Sequence, residues 1–339
     1  MDLTYQAVAN AAATGEQSTL LTIVARQGSA PRGAGASMAV TADGKQTGTI
    51  GGGSVEYEAK LDALARMKTG EGPMLREYSL YAGESKGNDM ECGGRVTVLF
   101  RPFSGDSAVR LFRSVQKVQS GAEEAWLVCK ITGGVPGETK ICQKAQAQNE
   151  PALLSHLNEN VVFTSEANGY FIEPLCAAPR VIVFGGGHVS QKTVPVLSSL
   201  GYRVWVVEDR AEFACEALFP SAERILNDAF ECAADTLGIT RRDHVIVLAR
   251  GHETDYRILR EILKTDADYI GCIGSKAKVK LTRERLIADG FTKDDMARLH
   301  SPIGLDIGAE TPAEIAVSIA AEMIAHCAAR KRCGGDGEN

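Results

Sequence analysis

A run of glycines set between a strand and a helix constrains this chain more than any other feature. Arg180-Val-Ile-Val-Phe184 is β-prone, Gly185-Gly186-Gly187 interrupts it, and Val189 to Leu200 is helix-forming until Gly201. In that order the glycines let the backbone approach a pyrophosphate, while the free N–H groups and positive dipole end of the helix favour the anion. Gly185 and Gly187 fit the first two glycines of G-x-G-x-x-G, and Ser190 stands at the third. The next apolar strand, Tyr202 to Val207, ends in Glu208-Asp209. Glu208 follows Gly185 by 23 residues, near the spacing at which an acidic residue meets a ribose hydroxyl. The plainer reading is a turn that only packs a helix on a sheet. His188 speaks against it, because a titratable ring stands at the helix entry where a small residue suffices.

Strands and helices continue to alternate downstream. Phe213 to Phe219 reads as a short helix and Glu223 to Leu226 as a strand. His244 to Ala249 is a strong strand ending in Arg250-Gly251-His252, followed by a helix from Thr254 to Leu263. Asp268 to Ile273 is the next strand, with Gly274-Ser275-Lys276 at its exit and a helix to Asp289. This spacing implies an α/β fold, a Rossmann-like doubly wound parallel sheet over residues 179–330, with 331–339 a disordered tail. In the strand order 3-2-1-4 the first and fourth strands are neighbours, so His188 and His252 are expected at one crevice outside their carboxyl ends. Thr311-Pro312-Ala313-Glu314 has capping-box spacing. In the helix it opens, Ile315, Ile319 and Met323 form an apolar stripe, with Glu314, Ser318, Glu322 and His326 on the polar side.

Residues 1–178 read as a smaller α+β domain of antiparallel elements, with strands at 18–25, 37–40 and 47–50. Gly51-Gly52-Gly53 then feeds a helix, Val55 to Met67, with Ser54 as N-cap and Tyr57, Leu61, Leu64 and Ala65 recurring at helical spacing. Together with Arg32, this loop is a second candidate anion seat. Cys92 lies at the lip of the strand 95–100, beside Gly93-Gly94, which leave its sulfur uncrowded. The domain boundary is placed at Ala177-Ala178-Pro179.

A net charge of −6 without a basic stripe argues against a nucleic-acid partner. No cationic region with an apolar core opens the chain, and no run approaches ~18 apolar residues, so a cytoplasmic location away from membranes is expected. Nine cysteines, an odd set without a C-x-x-C pair, disfavour both a disulfide framework and a zinc ribbon, and no metal ligand is singled out.

Seven stretches carry a family resemblance: Gly28-Ser-Ala-Pro-Arg32, Gly48-Thr-Ile-Gly-Gly-Gly-Ser-Val-Glu56, Met90-Glu-Cys-Gly-Gly94, Phe184-Gly-Gly-Gly-His-Val189, Arg250-Gly-His252, Ile270-Gly-Cys-Ile-Gly-Ser275 and Pro302 to Glu314. In this order they resemble the xanthine dehydrogenase accessory factors, the XdhC/CoxI family. The resemblance implies a helper rather than a catalyst of turnover. Such a protein binds the molybdenum cofactor (molybdopterin), protects it while a cysteine desulfurase supplies the sulfido ligand, and hands it to an apo molybdenum hydroxylase. A homodimer is expected. The cofactor-binding candidates are Arg32, Gly51, Gly52, Gly53, Gly185, Gly186, Gly187, His188, Glu208, Asp209, Arg250, His252, Gly274, Ser275 and Lys276. Lys276 would meet the ligand phosphate. Cys92 is the candidate catalytic residue, the sulfur nearest the metal, since a thiolate suits a soft centre. Ser190 and Cys272 depart from the family pattern. The alternative is an NAD(P)-dependent oxidoreductase, with Glu208 holding the ribose.

Overall fold

The computed structural model describes residues 3–80, 94–120, 124–158, 160–175, 179–230 and 236–333. The chain divides into two compact units of similar length, Met1–Ala177 and Ala178–Asn339. Cys92 and the loop before it lie outside the described residues.

The first unit opens with α1 (Leu3–Ala13), β1 (Ser18–Gly28), β2 (Ser37–Thr41), β3 (Gln46–Gly48), α2 (Gly53–Thr69), β4 (Met74–Ser79), β5 (Gly94–Phe103) and α3 (Gly105–Ser120). An antiparallel sheet of order β3-β2-β1-β5-β4 forms its centre. Side chains alternate across a strand, and β1 sorts its residues accordingly. Leu21 and Ile23 face α2, while Leu20 joins a core with Tyr5 of α1 and Phe112 of α3. A second antiparallel sheet, of order β7-β6-β9-β8, contains β6 (Ala125–Thr132), β7 (Val135–Gln143), β8 (Val162–Phe163) and β9 (Asn168–Pro174), with the short α4 (Pro151–Leu154) between β7 and β8. Arg101 of β5 is fully buried and links the sheets, donating to Thr22 Oγ1 at 2.8 Å and pairing with Glu173 of β9 at 2.9 Å.

Two expectations for α2 are corrected. Its N-cap is Gly52, without a side-chain cap bond, so Ser54 lies inside the helix. Its buried face is Val55, Ala59, Ala63 and Met67 with Leu64 packed beside them, whereas Tyr57 (64% exposed), Leu61 and Ala65 face outward. Two alanines at a four-residue spacing let the helix backbone approach the sheet closely, and the larger side chains are left outside.

The second unit comprises β10 (Arg180–Phe184), α5 (His188–Ser199), β11 (Arg203–Glu208), β12 (Arg224–Asn227), β13 (Asp243–Val247), α6 (His252–Ile262), β14 (Tyr269–Cys272), α7 (Lys276–Ala288), α8 (Lys293–Ala297), β15 (Leu299–His300) and α9 (Pro312–Cys333). All six strands are parallel, in the order β12-β11-β10-β13-β14-β15. Numbered along this unit the order is 3-2-1-4-5-6, the doubly wound arrangement. Val181 to Phe184 are fully buried because helices cover both faces. α5 and α9 pack on one face, and α6, α7 and α8 on the other.

Residues 213–219 form turns rather than a helix; the bonds Ala214 N to Arg210 O and Phe219 N to Cys215 O close separate turns. The capping box of α9 is present, since Glu314 accepts from Thr311 N at 2.8 Å and Thr311 Oγ1 accepts from Glu314 N at 3.3 Å. The expected polar side of α9, however, points inward from Ser318 onward. Ser318 donates to Leu305 O at 2.6 Å, and Glu322 accepts from Tyr269 Oη at 2.6 Å and from Gly304 N at 2.7 Å. α9 continues to Cys333, past the expected start of a disordered tail. By length and composition its stretch Pro312–Arg330 is long and apolar enough to cross a membrane, but Ala316, Ile319, Ala320 and Met323 pack in the core.

Candidate functional site

The candidate residues of the second unit sit at the carboxyl edge of three adjacent strands. β10, β13 and β14 are neighbours, and each runs through a glycine turn into a helix N-terminus. α5 begins at His188 behind the N-cap Gly187, α6 at His252 behind Gly251, and α7 at Lys276 behind Ser275. Only Ser275 caps with its side chain, accepting from Lys278 N. The first N–H groups of a helix have no partner within it and carry the positive end of its dipole. Arg250 and Lys276 add exposed cations at the same edge. The arrangement offers N–H groups and positive charge of the kind an anion needs.

Glycine is required at the first turn. Gly185 has φ 108°, and a Cβ there would lie 2.5 Å from Leu248 O at the exit of β13. At Gly186 a Cβ would meet Phe213 O at 2.9 Å and Glu208 Oε2 at 3.0 Å. Gly187 is extended and unhindered.

Glu208 takes a different role from the expected ribose holder. Its side chain is 2% exposed, and it accepts from Gly186 N at 2.5 Å, Arg210 N at 3.1 Å and Arg210 Nε at 2.8 Å. Burial works against ionisation, but the Arg210 guanidinium and these N–H donors outweigh it and hold the carboxyl at about 2. The carboxylate braces the glycine turn. Asp209 is raised by a hydrogen bond shared with Glu208 and reaches Arg250 at 3.4 Å, joining the exits of β11 and β13.

His188 and His252 come to the same edge, and both are exposed. They open helices on opposite faces of the sheet and so approach the edge from two sides. Cys272 is 4% exposed and its thiol is pushed up by burial, which makes it a core residue.

In the first unit the loop at Gly51, Gly52 and Gly53 has positive φ throughout, with exposed Arg32 close to Gly51. Here too the chain supplies its own carboxylate. Glu56 accepts from Ile50 N and Gly52 N, both at 3.0 Å, and from Thr49 Oγ1 and Gln46 Nε2. Burial opposes its ionisation, yet the Thr49, Gln46, Gly52 and Ile50 donors hold it below the usual range. A cavity of about 850 Å³ also opens in this unit against α3 and β7, lined in part by Arg110, Lys117 and Lys140. None of the described candidate residues lines it.

Comparison with known proteins decides the family. A family model described as the XdhC Rossmann domain matches residues 181–323, and one described as the XdhC and CoxI family matches residues 11–79. The chain belongs to the XdhC and CoxI family. It is 27% identical over 319 residues, 91% of this chain and 93% of the relative, to a Bacillus subtilis protein named as a probable subunit of xanthine dehydrogenase. Over 312 residues, 91% of this chain and 83% of the relative, it is 22% identical to the Escherichia coli protein named molybdenum cofactor insertion chaperone PaoD. A crystal structure titled as a xanthine dehydrogenase from Bacillus halodurans superposes with TM-score 0.78 at 25% identity, covering 99% of this chain and 98% of that one.

One residue of this XdhC-type Rossmann domain has no counterpart in the sequence reading. Asp255, on the first turn of α6, is 8% exposed, and its Oδ1 has no hydrogen-bond partner. Burial raises its carboxyl to about 7 despite the Ala249 N–H and Lys278. A polar residue at the expected inward position of an amphipathic helix is its signal in the sequence: Asp255 lies three, four and seven residues before Ile258, Leu259 and Ile262.

Proposed function

We propose that this chain is an accessory factor that binds the molybdenum cofactor at the carboxyl edge of the six-stranded sheet, protects it during sulfuration by a cysteine desulfurase, and delivers it to an apo molybdenum hydroxylase of the xanthine dehydrogenase type. The observation that carries this reading is the convergence of three helix N-termini with Arg250 and Lys276 at an edge where the acidic residue is already engaged. Such an edge suits a phosphate-bearing pterin. A dinucleotide would leave its ribose without the carboxylate it needs, because Glu208 is committed to Gly186 and Arg210. The names of the B. subtilis and E. coli relatives support the same cargo and the same class of client. The chain's residues hold the phosphate by helix N–H groups and cations, and the turns at 185–187, 250–251 and 274–275 shape the seat. Cys92 is proposed as the sulfur contact to the metal of the cargo.

The test is anaerobic co-elution of purified protein with molybdenum cofactor and, separately, with NAD(H). The expected result is retention of the molybdenum cofactor alone. Lys276→Ala and Arg250→Ala weaken retention more at low salt than at high salt, because exposed charge pairs are screened. Retention of NAD(H) with no molybdenum cofactor sinks the proposal. Cys92→Ser keeps the bound cofactor but lowers its sulfurated fraction; an unchanged fraction removes Cys92 from the site.

A further inference from the structure

We propose that the opposite, amino edge of the sheet carries a site for a first-row divalent cation, best matched to zinc, formed by His244 Nε2, His326 Nε2 and Asp268 Oδ2. The three residues come from β13, the residue just before β14, and α9. They are spread over 82 positions of sequence, so no local motif announces them. Their ligand atoms all lie within 4.8 Å of one another, and Asp268 Oδ2 stands 3.1 Å from His244 Nε2 and 3.2 Å from His326 Nε2. A tetrahedral zinc with bonds of about 2.0–2.1 Å sets its ligand atoms about 3.3 Å apart. Two of the three spacings therefore already have the needed length, and the third, between the two Nε2 atoms, lies within 4.8 Å.

The rings are held in place before any ion arrives. His244 packs edge-on to Tyr269 and Tyr202 at centroid distances of 6.0 and 5.7 Å, and His326 packs against Tyr269 at 5.2 Å and His300 at 5.5 Å. The two imidazoles stand at 89° to each other and aim Nε2 at one carboxylate oxygen. Imidazole with a carboxylate is a donor set for zinc and its neighbours in the series, whereas calcium and magnesium want oxygen alone. The His244 side chain is 4% exposed, while Asp268 and His326 are 14% and 19% exposed. The cluster is thus closed at His244 and partly open at Asp268 and His326.

The His244 ring, which meets Asp268 through Nε2, also shares a hydrogen bond with the Cys327 sulfur. Coordination through Nε2 would place the ring proton on Nδ1, toward that sulfur, where a metal-bound imidazole ordinarily donates to a carboxylate, carbonyl or water. Arg330 pairs with the other side of Asp268, at Oδ1, and leaves Oδ2 to the histidines. Its charge weakens cation binding while orienting the carboxylate. A bound ion would staple α9 to β13 and β14, and α9 is the helix whose Ser318 and Glu322 hold the backbone of residues 304–305.

The test uses the full chain, stripped with chelator and kept reduced. Zinc is titrated in competition with a chromophoric chelator, and cobalt(II) is added as a spectroscopic probe. The expected results are one equivalent of zinc beyond that bound by His326→Ala, an affinity loss of roughly tenfold or more in that variant, and cobalt d–d bands without a thiolate charge-transfer band. Zinc also raises the melting temperature of the wild type and leaves that of His326→Ala unchanged. Circular dichroism establishes that His326→Ala is folded, and His326→Gln replaces it if it is not. Equal zinc binding by wild type and folded variant overturns the proposal, as does a cobalt spectrum dominated by thiolate.

Discussion

Asp255 and Glu208 are buried carboxyls at the same edge with opposite couplings to pH. Asp255 is raised to about 7 by burial, so between about pH 4 and 7 the native state holds a proton that the unfolded chain has released, and stability falls as pH rises. Asp255→Asn should therefore stabilise the protein relative to wild type by an amount that grows across that window, to about 2–4 kcal/mol at pH 8. Urea midpoints at pH 5 and pH 8 measure it, and a gain equal at both pH values contradicts the argument. Glu208, held at about 2, contributes stability that is present above about pH 4.3 and lost as pH falls toward 2. Glu208→Gln should cost about 1–3 kcal/mol at pH 7, and the cost should shrink below pH 4. The spacing of residues could place Glu208 at the end of a strand. It could not reveal that Arg210 and Gly186 already occupy the carboxylate, because hydrogen-bond partners are a matter of tertiary geometry.

Among the elements, strands and glycine turns were readable, and helix faces less so. A strand covered on both sides needs an unbroken apolar run, which is why Val181 to Phe184 and Val245 to Val247 stand out. The face of α2 was misread because alanine carries little hydrophobic weight while allowing the closest approach. Ala59→Leu should destabilise by about 1–3 kcal/mol through overpacking, while Tyr57→Lys should stay within about 0.5 kcal/mol. Thermal melts of the two variants check this, and the reverse ranking would restore the sequence-derived face. In α9 the polar residues were identified but aimed wrongly, because the loop backbone at Gly304 and Leu305 and the ring of His300 needed inward partners.

At the scale of the whole molecule, the alternation of strands and helices led to the doubly wound order, and that order sets His188 and His252 at the starts of helices on opposite faces of one edge. The first and fourth strands are neighbours, yet the helices that follow them leave toward opposite faces. Each unit has its own core, so residues 178–339 expressed alone should melt in one cooperative transition, as followed by calorimetry and circular dichroism together. Non-coincident transitions would show that this unit depends on the first. The internal carboxylates beneath the two glycine turns bear on how a carrier works. Glu56 and Glu208 brace their loops from within the chain, so under the proposed function little conformational entropy would be lost on loading and little regained on release. A carrier built this way can let go without refolding, and the direction of transfer is then set by how tightly the acceptor grips the cargo.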